Sequence, residues 1–291
     1  MLAPLKRPAI AIVGKGRLGT ALAKHLGVAG YPLGEISSHP KRQARASLGW
    51  DLVWFCVPDA QIRKSASGLV ARNWRGKVAV HSSGVLPASA LEELRRRGAS
   101  IASVHPLMTF VKNAIPDLQR VPFAIEGDRR AARLAGRIVR DLGGEVFRVK
   151  PRDKAAYHVF ATMVCPLLVA LLSSAEAVAG LAGISQSRAR RRMMPIIRQT
   201  LANYQNLGAA RSSSGPIVRG DVDTIRLHLE ALAAVPRTKQ VYLALARAAL
   251  DGLSGATARK VEALLEQASP ERAGRNRKGT DRASRRSAHR T

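Results

Sequence analysis

Three short segments bring together side chains able to move protons. His81-Ser82-Ser83-Gly84, His105-Pro106 and Tyr157-His158 carry imidazoles, hydroxyls and a phenol, groups that donate or accept protons, the imidazoles near neutral pH. Where a reaction builds charge on oxygen or needs a proton on nitrogen, a Tyr, His or Lys is the expected partner. His105, Tyr157 and His158 are therefore the candidate catalytic residues, with His81 as a further proton carrier. Ser82 and Ser83 are candidate hydrogen-bonding groups for a ligand. A fourth segment, Gly215–Asp221, reads GPIVRGD, a rigid loop whose Arg219 can fork a carboxylate. Three have a structural alternative: a satisfied polar strand end for His81–Gly84 and His105-Pro106, a helix-capping turn through Asp221 for the last.

The most informative spacing lies earlier. Residues 9–26 read AIAIVGKGRLGTALAKHL, a strand leading through Gly14, Gly16, Arg17, Leu18 and Gly19 directly into an amphipathic helix. Gly14 permits the tight turn, Gly16 lets backbone approach a pyrophosphate, and Gly19 lets the helix pack on the strand with its N-terminus aimed at the phosphates. Val57-Pro58 ends a neighbouring strand and belongs to the same rim. An NAD enzyme normally places a carboxylate at the end of the second strand, whereas this chain reads GEISSHPKRQAR there. Ser37, Ser38, Lys41 and Arg42 suit a 2′-phosphate through charge-assisted hydrogen bonds. Glu35 lies too early in the strand. NADP is favoured, with NAD as the alternative.

His81, His105, His158 and Cys165 show no paired ligand spacing, and no metal is expected. Cys56 and Cys165 both sit in apolar runs, which points to buried thiols and a reducing cytoplasm. No signal peptide is read at the N-terminus.

The elements that must position these groups follow from periodicity. Between residue 9 and about 150, short apolar runs alternate with helical stretches, which predicts a parallel sheet wrapped by helices. Expected strands are 9–13, 33–37, 52–57, 78–81, 101–104, 122–125 and 145–149, with helices over 17–29, 89–97 and 130–142. The interval 38–51 holds only a short helix, so a trimmed sheet is expected. Residues 151–268 read as all helix: a first helix over 153–181, a second capped by Ser185, a third by Asp221 or Asp223, a fourth opened by Pro236 and a fifth capped by Thr257. Val159–Leu172 is the longest apolar stretch, 14 residues with Thr162 and Pro166 inside it. Spanning a bilayer takes roughly 17–25, so a buried core helix and no membrane are expected. The fold class is thus α/β, a Rossmann-type sheet (1–150) followed by an all-α domain (151–268) and a basic, disordered tail (269–291).

The 291 residues carry 48 Lys+Arg against 20 Asp+Glu, a formal +28. A net six of those charges lie in residues 270–291, and the rest are spread over the body. Only 4% of residues are aromatic, too few for the stacking platforms of single-strand binders. A solvated basic surface, rather than a nucleic-acid partner, is the expectation.

Taken together, GKGRLGTALA (14–23), DLVWFCVPD (51–59), HSSG (81–84), SVHPLMTF (103–110), FAIEGD (123–128), AAYHVFAT (155–162) and GPIVRGD (215–221) resemble a family of bacterial Rossmann-like proteins whose helical C-terminal half is a domain of unknown function. That family is distantly similar to pyrroline-5-carboxylate reductase and ketopantoate reductase. The resemblance implies an NAD(P)-dependent oxidoreductase. Related dehydrogenases often carry a Lys and an Asn one turn apart on the first helix of the second domain. Ala161 and Cys165 stand at that spacing here, so that pair is absent.

The reading that follows is an NADP(H)-dependent oxidoreductase of a small, anionic carbonyl or imine substrate, held in an inter-domain cleft, cytoplasmic, and a homodimer through its helical domain. A dinucleotide-binding sensor without catalysis is the alternative, and a nucleic-acid-associated protein the third.

Overall fold

The computed structural model describes residues 7–36, 49–69, 73–251 and 255–269. All seven expected strands form: β1 Ile10–Val13, β2 Leu33–Ile36, β3 Leu52–Phe55, β4 Val78–His81, β5 Ser100–Pro106, β6 Pro122–Gly127 and β7 Glu145–Arg148. They make one sheet in the order β2-β1-β3-β4-β5-β6-β7. β1, β3 and β4 are buried at every residue, as continuous apolar runs covered on both faces must be. The pleat sends alternate residues to opposite faces. Ile10, Ile12 and Trp54 join one core with Leu22 and Phe123, while Val13 and Phe55 join the other with Ile62 and Leu91.

The expected parallel sheet needs one correction. β1 to β5 are mutually parallel, but β6 runs antiparallel to β5, and β7 is parallel to β6. A parallel neighbour requires a crossover, usually a helix. Residues 107–121 contain none, so the chain returns alongside β5 in the reverse direction. α1 Arg17–Val28, α2 Asp59–Ser67, α3 Glu92–Arg96 and α4 Arg129–Asp141 supply the remaining helices around the sheet. Strand register aligns Val13 with Phe55, Phe55 with His81 and His81 with Ser103. The residues that follow each strand, the glycine turn, Val57 and Ser82, therefore leave the sheet side by side.

The chain divides into two compact units, residues 1–165 and 166–291. α5 Lys154–Thr162 belongs with the first, because Lys154 and Tyr157 are buried there. A π-helical turn, Met163–Leu167, follows α5 and contains Pro166, whose missing N–H and bulky ring prevent a regular α-turn. The second unit comprises α6 Leu168–Leu181, α7 Gln186–Leu207, the one-turn α8 Ala209–Ser212 and α9 Pro216–Arg219, then α10 Val222–Ala231, α11 Pro236–Leu250 and α12 Ala256–Gln267. Its core is Ile225, Leu229, Leu243, Ala246, Val261 and Leu265. Glu176 of α6 accepts two hydrogen bonds from Arg190 of α7, at 2.8 and 3.0 Å.

Three expectations for the helices change. Gly255, not Thr257, precedes α12, and Ser185 precedes α7 without a side-chain cap. Asp221 does cap α10, accepting from the Thr224 N–H at 3.1 Å. The apolar stretch expected in a core is largely exposed: Phe160 is 49% accessible, Met163 61% and Leu167 53%. The helical run Pro151–Leu181 is also long and apolar enough, by length and composition alone, to cross a membrane.

Candidate active site

The glycine turn takes the form its spacing predicts. Gly14 has φ +109°, and a Cβ there would lie 2.6 Å from the Cys56 carbonyl and 2.9 Å from Val57 Cγ1. A Cβ on Gly19 would lie 2.1 Å from the Gly14 carbonyl, so α1 can approach β1 only with glycine there. Gly16 differs. It precedes α1 in extended conformation, without a side-chain cap, and a Cβ on it would meet nothing closer than the Cys56 carbonyl at 3.9 Å. The protein's own packing does not require glycine at 16, and no side chain of the N-cap residue covers the first N–H groups of α1. Beside this turn lies a hollow of about 350 Å³ bounded by Gly14, Lys15, Gly19, Thr20, Leu33 and Gly34. These are features that fit a dinucleotide pyrophosphate. Arg17 is exposed and Leu18 half-buried against the core; Val57 is half-buried and Pro58 exposed at the start of α2. Ser37, Ser38, Lys41 and Arg42 lie outside the described residues.

A second cluster sits at the ends of β4 and β5 and on the first turns of α5. His105 Nδ1 and the Tyr157 hydroxyl are 2.7 Å apart. The rings of His105 and Tyr157 meet edge-on at 5.5 Å, and those of His105 and His158 at 6.1 Å. Gly84 makes this possible: a Cβ there would lie 2.5 Å from His158 Cδ2 and 2.9 Å from His105 Nε2. The three candidate catalytic side chains are thus brought together around one glycine.

Protonation separates their roles. Burial above all, then the charge of Lys154 and His158, pulls His105 down to about 4, so its imidazole is neutral at physiological pH. Burial pushes the Tyr157 phenol up to about 12, so it keeps its proton. The hydroxyl is the donor and Nδ1 the acceptor. His81 cannot serve as the expected second proton carrier. It is fully buried, its Nε2–H donates to the Pro87 carbonyl at 3.0 Å and its Nδ1 accepts from the Ser83 N–H at 3.1 Å. Burial, against the Pro87 hydrogen bond, lowers it to about 4.

The two serines divide similarly. Ser83 is buried and its hydroxyl oxygen accepts from the backbone N–H groups of Val85 and Leu86, at 3.3 and 2.9 Å, which occupies it in the turn. Ser82 is half-buried; it accepts from Trp54 Nε1 at 2.7 Å and its hydroxyl is hydrogen-bonded to the buried Cys56 thiol. Arg219 ends α9 in the second unit and is exposed.

One group escaped the sequence reading. Lys154, 2% accessible, donates from Nζ to the Ser83 carbonyl at 3.1 Å and to Ser103 Oγ at 2.7 Å. Ser103 donates its own hydrogen bond to the same carbonyl at 3.1 Å. Glu126, also buried, accepts from the Ala88 N–H and faces the Lys154 charge. Lys154 stands one turn before Tyr157 and His158, a spacing that puts it on their face and was the available signal. Among the described residues, no three His, Cys, Asp or Glu side chains gather as a metal site.

A glycine turn at the head of a mostly parallel sheet, followed by a helical region, is a Rossmann-type architecture, and comparisons of fold agree. A Bacteroides fragilis protein assigned as an NADP oxidoreductase shares 22% identity over 84% of this chain and 98% of its own, with a TM-score of 0.69. An imine reductase from Pseudomonas sp. shares 22% over 89% and 100%, at 0.63. Plasmodium falciparum pyrroline carboxylate reductase with NADP bound shares 16% over 91% and 98%, at 0.54. At such identities the likeness establishes the fold, not the reaction. Residues 121–249 match the family model described as Domain of unknown function (DUF2520). The fold is Rossmann-like, and the family match begins within the sheet, ahead of β6, rather than at the helical half. No curated protein matches the chain.

Proposed function

We propose that this protein is an NADP(H)-dependent reductase of a small carbonyl or imine compound. The observation that carries the reading is the Tyr157–His105 pair at 2.7 Å, joined to a sheet whose glycine turn is free of its own packing at Gly16. Bound NADPH would supply the hydride. Gly14, Gly16 and Gly19, with the N–H groups opening α1, would hold its pyrophosphate, and Val57, Pro58 and Ser82 would line its path toward the strand ends. The preference for NADP rests on Ser37, Ser38, Lys41 and Arg42. Tyr157 is the proton donor: its phenol stays protonated, its hydrogen bond to the neutral imidazole orients the side chain, and the hydroxyl turns its one proton from Nδ1 to the substrate on transfer. His158 closes the other side of Gly84. Arg219 is suited to a substrate carboxylate.

The same reading makes the protein a cytoplasmic dimer. The exposed apolar face around Phe160, Met163 and Leu167 and an almost wholly apolar groove of about 540 Å³ in the second unit, lined by Leu171, Val178, Ile217, Leu232, Val241 and Leu245, are surfaces that a second copy would cover. Lipid is the poorer occupant, because the helical run begins with Lys154 and Tyr157 buried beside the sheet. NADPH oxidation screened against keto acids, cyclic imines and aldehydes tests the reading. Turnover with one class supports it, and tight NADPH binding without hydride transfer to any of them favours the non-catalytic sensor.

A further inference from the structure

Neither the glycine turn nor the Tyr157–His105 pair accounts for Lys154. An ammonium taken out of water is costly unless its donors are satisfied and a counter-charge is near, so the partners it keeps indicate what it does. Two are the Ser83 carbonyl, just beyond β4, and the Ser103 hydroxyl on β5. Its neighbours three and four residues on along α5 are Tyr157 and His158. One side chain therefore fastens the turn that presents the candidate proton donor to two adjacent strand ends.

We propose that Lys154 is a positioning residue, which clamps α5 to the ends of β4 and β5 and sets its charge toward His105 so that the Tyr157 hydroxyl donates to Nδ1 and not the reverse. A proton on Nδ1 would turn the ring into a cationic donor and reverse its hydrogen bond with the phenol. Among the described residues, the groups facing His105 are few. From α5 come Lys154, Tyr157 and His158. From β4, His81 is neutral and turned to Pro87. Glu126 of β6 and Asp59 of α2 face Lys154 and hold its charge in place. Burial is the largest influence keeping the His105 ring unprotonated, and Lys154 is the next.

The consequence for catalysis rests on the reductase reading; the ring's protonation does not, and the test is chosen accordingly. The full chain, labelled with isotopic histidine and with His105 assigned from the spectrum of His105→Gln, is titrated by NMR without cofactor or substrate. In wild type and in Lys154→Arg, which keeps the charge, His105 titrates near 4. In Lys154→Gln the midpoint rises by about one pH unit, a roughly tenfold gain in proton affinity. An unchanged midpoint in a folded Lys154→Gln overturns the proposal. The wild-type chain gives a second reading that needs no variant. As the pH is raised, the His105 ring shifts should inflect where Lys154 loses its proton, below the ordinary lysine range because burial lowers it. Ring shifts that stay flat through that range also overturn the proposal. Where a substrate supports turnover, Lys154→Gln should lower kcat several-fold, most at low pH, with KM for NADPH unchanged and with partial recovery in Lys154→Arg. An altered titration with no turnover in any variant would strike the reductase reading alone.

Discussion

Gly16 and Gly19 lie three residues apart in one turn, yet substitution should affect them oppositely. A Cβ at Gly16 meets nothing closer than the Cys56 carbonyl at 3.9 Å and needs no unusual backbone, since φ is −71° and ψ −179°. Gly16→Val should therefore fold, with stability within about 1 kcal/mol of wild type, because the reduced freedom of the unfolded chain offsets a poorer helix cap. If a dinucleotide pyrophosphate lies against this turn, the branched side chain obstructs it, and at least one charge-assisted hydrogen bond should be lost. At about 1.5–3 kcal/mol each, that weakens NADPH roughly 10- to 150-fold. Gly19→Ala drives a Cβ to 2.1 Å from the Gly14 carbonyl, a backbone atom that cannot swing aside. Overpacking of this kind costs about 1–3 kcal/mol, or roughly 2–12 °C in melting temperature for a chain of this size. Calorimetric titration with NADPH and thermal melts on the same preparations separate the two effects. Undiminished NADPH affinity in a folded Gly16→Val would refute the assignment of the turn, and an unshifted melt in Gly19→Ala would refute its packing role.

NADP(H) should bind about tenfold or more tightly than NAD(H), one charge-assisted contact's worth, and equal affinities by calorimetry at moderate salt would count against a 2′-phosphate site. A dimer should sediment at micromolar concentration, and Met163→Glu should weaken it about 30-fold or more, as a buried, unpaired charge costs about 2 kcal/mol or more; a wild-type monomer would rule out the apolar face as an interface. Acid should destabilise the fold through His81. With its folded pKa depressed to about 4 against an ordinary value of about 6.5, the unfolded chain binds the extra proton between those limits. The stability is present above about pH 6.5 and is lost as the pH falls toward 4, by about 3 kcal/mol at most. Glu126, which burial raises, acts in the opposite direction, so the test compares urea unfolding at pH 7.5 and 4.5 in wild type and His81→Gln, where the variant should lose less.

The glycine turn, all seven strands and the gathering of His105, Tyr157 and His158 were legible in the sequence, because each depends on local spacing: a strand running into a helix, strand ends that leave the sheet in register, a His beside a Tyr at a helix start. What was not legible depends on partners distant along the chain. The reversal of β6 is decided by the lack of a helix in residues 107–121, which apolar periodicity does not report. His81 looks as reactive as His105 in sequence, and only its contacts with Pro87 and Ser83 show that both nitrogens are taken. Lys154 passes for a solvated lysine until the Ser83 carbonyl and Ser103 hydroxyl close on it. The Val159–Leu172 stretch was expected in a core because its composition is apolar, but composition does not say whether the covering surface belongs to the same chain.

Tyr157→Phe tests the central claim most directly, since it removes one oxygen and leaves the ring in place between His105 and Phe147. Turnover with a substrate that wild type reduces, and NADPH affinity, are measured on the same folded protein. If the phenol is the proton donor, kcat falls by about two to four powers of ten while the dissociation constant for NADPH stays within about twofold. A Tyr157→Phe variant that turns over at the wild-type rate would contradict the account.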